Sequence, residues 1–243
     1  MIDLHILLLS VLQGLTEFLP VSSSGHLILF SLFTTFPDQG IGLDVAVHVG
    51  SIFAVIIYFR KVIWNVIKGT LKNFFIPNFN NAGSRLFWLM VIGTIPVVIV
   101  GMLFRHYDIE FRDDEGSRVI GWTILGFGLL LFAADKIGLT IRKVEHLGVI
   151  DALLIGLAQC LALVPGTSRS GITMTMARFL GMERSEAAKF SMLLSIPAIV
   201  GAAVLVGAEL YADGQIGQLL SAVDGVVYSF VASILAIDIM MWW

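Results

Sequence analysis

Any fold of this chain has to place a polar motif that is written twice inside apolar sequence. The first copy runs Gln13-Gly-Leu-Thr-Glu17-Phe-Leu-Pro20-Val-Ser22-Ser23-Ser24-Gly25-His26. The second runs Gln159-Cys-Leu-Ala-Leu-Val-Pro165-Gly166-Thr167-Ser168-Arg169-Ser170-Gly171-Ile-Thr173. Each reads Gln, an apolar run, Pro, a short spacer, then Ser-x-Ser-Gly. Hydrophobic residues make up 57% of the chain and charged residues 14%, against roughly 25% charged in soluble domains. The chain is therefore read as an integral membrane protein. A carboxylate, an imidazole and a guanidinium are costly at membrane depth, so they mark a site. One copy supplies the acid and the imidazole, the other the fixed cation. A site at the interface of two repeats needs that division.

Stretches of about 20 mostly apolar residues span a bilayer. The sequence offers such spans at 41–59, 86–104, 119–138, 187–208 and 221–243. Segments 4–35 and 147–182 are also apolar, but Pro, Gly and Ser break each in the middle. Broken backbone is tolerated at membrane depth only inside protein or along a water-filled cavity, so both segments are read as re-entrant helix hairpins. Loop charges set the sides. Residues 60–85 carry Arg60, Lys61, Lys68, Lys72 and Arg85 and no acid, which places them in the cytoplasm. Lys136, Arg142 and Lys143 place the loop after 138 there too. The acid-rich loop 105–118 and the stretch 209–224, with Glu209, Asp213 and Asp224, belong outside. The first hairpin then opens outward, the second inward, and the second copy is inverted. The expected architecture is an all-α polytopic membrane protein. It is one domain over 1–243, with a first repeat at roughly 1–104, a second at roughly 147–243, two re-entrant helix hairpins and about five full spans. Residues 62–76 read equally well as a short interfacial helix or a loop. No basic n-region precedes the first apolar run, so no cleavable signal peptide is expected. Cys160 is the single cysteine, which excludes an intrachain disulfide.

Gln13 and Glu17 lie four apart and share a helix face. Pro20 ends that helix, and Ser22, Ser23 and Ser24 suit the N-cap of the returning half, with His26 in its first turn. In the second copy Pro165-Gly166 makes the break, Thr167 or Ser168 caps, and Arg169 and Ser170 enter the first turn. Each half-helix points free N–H groups and a positive dipole end at the membrane middle, where they attract anions, phosphate above all. Arg169 adds a planar fork for two phosphate oxygens. Glu17 fits beside a phosphate if a divalent metal bridges the two or if it acts as a general base. A plain ion pair with Arg169 is the structural alternative. His26 can be acid, base or nucleophile near neutral pH. Asp44 and His48, four apart in the 41–59 span, either line the cavity or pair with each other. Asp135, Asp151, Glu209 and Asp238 fall near span ends and are read as interfacial. Gly93, Pro96 and Gly101 are read as packing or kink residues.

At these two motifs the chain resembles the undecaprenyl pyrophosphate phosphatases, the BacA/UppP bacitracin-resistance family. The likeness runs through Gln13-Gly-Leu-Thr-Glu17, Pro20-Val-Ser-Ser23-Ser-Gly-His26 and Pro165-Gly-Thr-Ser-Arg169-Ser170-Gly-Ile-Thr173. In order and hydropathy it extends over nearly the whole chain, including Leu43-Asp44-Val-Ala-Val-His48-Val-Gly50. The resemblance implies a bacterial inner-membrane enzyme that hydrolyses undecaprenyl diphosphate to the monophosphate, recycling the lipid carrier for wall polymers. It also implies a site open to the outer side and dependence on a divalent cation, Mg²⁺ or Ca²⁺. By motif position it makes Glu17 the key acid and tentative metal ligand, with Gln13 in the place where the family has Glu or Gln. Ser23 and His26 become the candidate nucleophile and acid–base pair, and Arg169 the diphosphate holder. Ser22, Ser24, Ser168, Ser170 and Thr173 line the phosphate site. The implied partners are a polyprenyl diphosphate and the bilayer, with no nucleic acid; the oligomeric state stays open. Inverted repeats with a midplane polar site also suit a lipid-phosphate flippase or a small-anion transporter.

Overall fold

The computed structural model describes residues 4–34, 40–107, 114–137, 141–214, 217 and 223–242. The described residues form α-helices, two short 3₁₀ turns and no named strand. Helices α3 (Gly40–Tyr58), α5 (Ala82–His106), α6 (Asp114–Ile137), α9 (Arg184–Ala212) and α10 (Val223–Trp242) are the long ones. Four of these five are apolar and long enough to cross a membrane by themselves; the fifth, α3, is an apolar helix of 19 residues followed by α4 (Arg60–Lys72), which bends away from it by 85°. The protein is thus a multi-pass membrane protein, and the five spans fall where hydropathy puts them. Residues 108–113 of loop 105–118 and residues 215, 216 and 218–222 of stretch 209–224 lie outside the described residues, as does Trp243.

The two interrupted segments are helical hairpins. The first comprises α1 (Leu4–Thr16) and α2 (Ser23–Phe33). The second comprises α7 (Val149–Gln159), a 3₁₀ turn at Cys160–Leu163 and α8 (Arg169–Phe179). In each, the two arms pack on one another. At 1.5 Å per residue the arms are about 17–20 Å long, too short for a hydrocarbon core of about 30 Å.

The hairpins and the later helices exchange partners. Arm α1 lies along α10, and arm α7 lies along α5. Each hairpin is therefore braced by the last helix of the other half, while α3 and α9 cross in the middle. Between apolar helices in lipid, packing rather than water exclusion drives association, and small residues let backbones approach. The α5–α7 contact shows this directly: a Cβ on Gly156 would lie 2.4 Å from the Gly93 carbonyl oxygen. Gly93 is a packing residue, as its sequence context suggests, whereas Gly101 has almost open space around it. The α1–α3–α10 contact is polar at its centre. Gln13 Oε1 sits 3.1 Å from Ser51 Oγ and 2.7 Å from Ser229 Oγ, and Ser233 Oγ donates to the Gly14 carbonyl at 3.1 Å. The apolar core gathers Phe18, Leu89, Ile155, Phe190, Leu193, Leu194 and Ile237.

Ion pairs lie near the ends of the long helices. Arg105 pairs with Glu209, both assigned outside. Asp135 pairs with Arg184 at 2.5 Å and with Arg178 at 3.3 Å, and Arg142 pairs with Asp151 at 2.6 Å. Asp135, Asp151 and Glu209, three of the acids near span ends, are thus each neutralised by an arginine.

Candidate active site

The turns of the two hairpins are built alike. Ser22 precedes α2 with φ −72° and ψ 108°, and its Oγ accepts from Gly25 N at 3.1 Å. Ser168 precedes α8 with φ −71° and ψ 122°, and its Oγ accepts from Gly171 N at 3.1 Å. The second serine of each copy lies against the first: Ser22 Oγ to Ser24 Oγ is 3.2 Å, Ser168 Oγ to Ser170 Oγ is 3.0 Å. Of the two candidates for the second cap, Thr167 and Ser168, the chain uses Ser168. The residue after each cap opens the helix: Ser23 in the first copy, Arg169 in the second.

One carboxylate joins these two openings. Glu17 Oε1 accepts from Arg169 Nη2 at 2.6 Å, and Glu17 Oε2 accepts from Ser23 Oγ at 2.8 Å. Gln13 Nε2 donates to the same Oε2 at 3.3 Å, the contact expected from their four-residue spacing. The Glu17 side chain is 4% exposed and that of Arg169 19%, so the acid is the more deeply buried of the pair. The first N–H groups of a helix have no intrahelical partner. Two sets of such donors, two positive dipole ends and one guanidinium thus surround a single acid. Ser170 Oγ donates to the Leu19 carbonyl at 2.8 Å, which ties one hairpin turn directly to the other.

The remaining candidates divide by what they touch. Thr173 Oγ1 donates to the Arg169 carbonyl at 2.8 Å and lies 2.7 Å from Ser191 Oγ, bracing α8 against α9. Ser24 is exposed and Ser23 half-buried. His26 is half-buried, and its Nδ1 sits 2.6 Å from the Ser22 carbonyl oxygen. A carbonyl only accepts, so Nδ1 carries the proton and Nε2 is the nitrogen left for other work. The imidazole that touches Glu17 is instead His48: its Nε2 lies 3.4 Å from Glu17 Oε2, with Nδ1 held at 2.6 Å by the Asp44 carbonyl oxygen. Of the two readings of Asp44 and His48, lining the cavity is the one the geometry favours for His48. The second glutamine, Gln159, turns away and donates to the Gly93 carbonyl at 3.2 Å. Leu163 stands where the first copy has Glu17, so the backbone repeats and the chemistry does not.

Gly166 sets the second turn. Its φ of +84° is left-handed, and a Cβ there would lie 2.1 Å from Thr123 Oγ1. That hydroxyl, on α6, donates to the Pro165 carbonyl at 2.8 Å. Gly166→Ala combines a left-handed backbone with a clash, each costing about 1–3 kcal/mol. It is expected to lower the thermal unfolding midpoint in detergent and to displace Arg169. A midpoint equal to that of the parent protein would show that the turn is less tightly packed than described.

Among the described residues no group of three or more His, Cys, Asp or Glu side chains is placed to hold a metal. Glu17 is one carboxylate with Ser23 and His48 beside it. Such a donor set suits a Mg²⁺-like ion that takes one protein carboxylate and completes its shell with substrate phosphates and water.

The sequence matches the family model described as bacitracin resistance protein BacA over residues 6–243. Undecaprenyl-diphosphatase 1 of Rhodospirillum rubrum is 49% identical over 249 residues, covering 100% of this chain and 87% of that protein. The undecaprenyl-diphosphatase of Roseobacter denitrificans is 45% identical over 240 residues, with 98% and 88% covered. That of Erythrobacter litoralis is 42% identical over 257 residues, with 98% and 90% covered.

Proposed function

The chain belongs to the bacitracin resistance protein BacA family, and from that premise we propose that it is a phosphatase hydrolysing undecaprenyl diphosphate to undecaprenyl phosphate and inorganic phosphate. The enzyme works in the bacterial inner membrane, with its site open to the outer side, and returns the lipid carrier to cell-wall synthesis. The observation that carries this reading is the Glu17 carboxylate bonded at once to Ser23 and Arg169, the opening residues of two opposed hairpin helices. The relatives described above are named diphosphatases, which favours hydrolysis over transport of the same lipid.

The geometry suggests an order of events. The diphosphate enters between the two helix N-termini, and Arg169 moves from Glu17 to the phosphate oxygens. Its fork and the free N–H groups stabilise charge on the transferring phosphoryl group. Ser23 Oγ attacks the terminal phosphorus while its proton passes to Glu17 Oε2. The bond from that phosphorus to the bridging oxygen breaks, and undecaprenyl phosphate leaves with the oxygen. Water then cleaves the phosphoserine, giving inorganic phosphate and restoring the hydroxyl. His26 exchanges protons through Nε2, its ring fixed by the Ser22 carbonyl. His48 and Gln13 hold Glu17 in the orientation that faces Ser23. A divalent cation, Mg²⁺ or Ca²⁺, would be held by Glu17 together with substrate phosphates and, when bound, supplies neutralising charge. Ser22, Ser24, Ser168, Ser170 and Thr173 shape the phosphate site, largely by fixing the two turns.

The purified protein in proteoliposomes is expected to release one phosphate per undecaprenyl diphosphate consumed. Ser23→Ala is expected to lose this activity and the acid-stable phosphoprotein trapped in a single turnover. Normal turnover by Ser23→Ala would assign the attack to another group, and substrate flux without phosphate release would replace hydrolysis by transport.

A further inference from the structure

Helix α4 has three faces, and only one of them meets the protein. Val62, Val66, Gly69 and Thr70 turn inward, where Gly69 lies against Asn81 and Ser84 at the start of α5. Trp64, Ile67 and Leu71 follow the i, i+3, i+7 pattern of one helical stripe and are 56%, 41% and 56% exposed. Lys61, Lys68 and Lys72 form a third stripe beside it, all exposed, with Lys68 Nζ 5.0 Å from the Trp64 ring centroid. Helix α4 leaves the α3 axis at 85°, so with α3 crossing the bilayer α4 runs close to the membrane plane. An apolar stripe flanked by lysines on a helix in that plane is the pattern of an interfacial helix.

The turn that follows extends the surface. Phe74 and Phe75 have φ of 49° and 60°, a left-handed conformation rare for bulky residues. Asn73 holds them there, its Nδ2 donating to the Gly69 carbonyl at 2.6 Å and its Oδ1 accepting from Asn78 Nδ2 at 2.9 Å. The Phe74 side chain is 86% exposed, next to the apolar stripe rather than folded under it. No acid occurs anywhere in residues 59–85, so these lysines have no carboxylate in their own segment.

We propose that α4 and the Phe74–Phe75 turn form a binding surface for anionic phospholipids of the cytoplasmic leaflet. Trp64, Ile67, Leu71 and Phe74 enter the acyl boundary, while Lys61, Lys68 and Lys72 hold the headgroup phosphates. Charge complementarity selects the occupant: a helix with three exposed lysines, an exposed Arg60 at its start and no acid takes an anionic headgroup over a zwitterionic one. Each lysine near an anionic surface favours binding by about fivefold, and the attraction fades as salt shortens the screening length.

The test uses the whole protein in nanodiscs made from equal parts phosphatidylglycerol and phosphatidylcholine. After transfer to mild detergent, retained lipid is counted by native mass spectrometry. The parent protein should retain phosphatidylglycerol preferentially, and Lys61→Gln/Lys68→Gln/Lys72→Gln should lower that preference tenfold or more. The corresponding triple Lys→Arg variant should keep it. Equal retention of the two lipids by the parent protein, or an unchanged preference in the Gln variant, overturns the proposal. If the Gln variant does not fold, the salt dependence of the parent's preference decides. Loss of preference at high salt supports the lysine stripe, and a salt-independent preference overturns it. None of these readouts uses phosphate release, so the proposal stands or falls apart from the phosphatase reading.

Discussion

Arg169→Ala is expected to reduce phosphate release by about a thousandfold or more, the range found when an arginine that neutralises a transferring phosphoryl group is removed. Two effects act together. The diphosphate loses its only guanidinium partner among the residues placed at the turns, and Glu17 loses the charge that balances it. Removing one partner of a buried ion pair costs about 3–5 kcal/mol; His48 at 3.4 Å offsets part of that, and the single variant should still unfold more readily. The two effects separate in Glu17→Gln/Arg169→Gln, which removes both charges. That variant should regain much of the thermal stability lost by Arg169→Ala and none of the activity. Phosphate release from a folded Arg169→Ala protein at a rate near that of the parent would remove Arg169 from the chemistry and leave it as the structural partner of Glu17.

Glu17→Gln should lower kcat by about 10²–10⁴, the usual contribution of a positioned general base. The carboxamide keeps the shape of the side chain, but it cannot take the Ser23 proton. It also removes a negative charge that repels the diphosphate, so KM should fall or stay level while kcat collapses. A merely structural Glu17 would not give that split: its loss would change stability and leave kcat per folded molecule intact. Single-turnover phosphate release together with equilibrium binding of a non-hydrolysable diphosphate lipid measures both quantities.

Much of this site is legible in the sequence because its parts are local. The Pro20 and Pro165-Gly166 breaks, the serine caps and the shared face of Gln13 and Glu17 each depend on a few consecutive residues. The pairing of Glu17 with Arg169 spans 152 positions, yet it follows from charge, since an acid and a guanidinium at membrane depth each need a partner. Other features leave no such trace. That His48 reaches Glu17, and that Ser51 and Ser229 close on Gln13, depends on how α3 and α10 rotate about their axes. These helices are apolar nearly all round, so periodicity does not tell which face turns inward. The exchange of braces, α1 on α10 and α7 on α5, is hidden for the same reason. The lysine stripe of α4 is readable as charge, but its separation from the apolar stripe becomes visible only with the 85° bend.

The claim on which the mechanism turns is that two hairpins 146 positions apart, as Ser22 and Ser168 are, bring their polar residues to one place. Solid-state NMR in lipid bilayers tests it without altering the site, using carboxyl-¹³C glutamate and guanidino-¹⁵N arginine. The account predicts strong carbon–nitrogen dephasing of the Glu17 carboxylate, at the short separation that a 2.6 Å Nη2–Oε1 contact imposes. The signal should vanish in Arg169→Lys. A Glu17 carboxylate with no dephasing, or with dephasing that survives the loss of Arg169, would contradict the shared site.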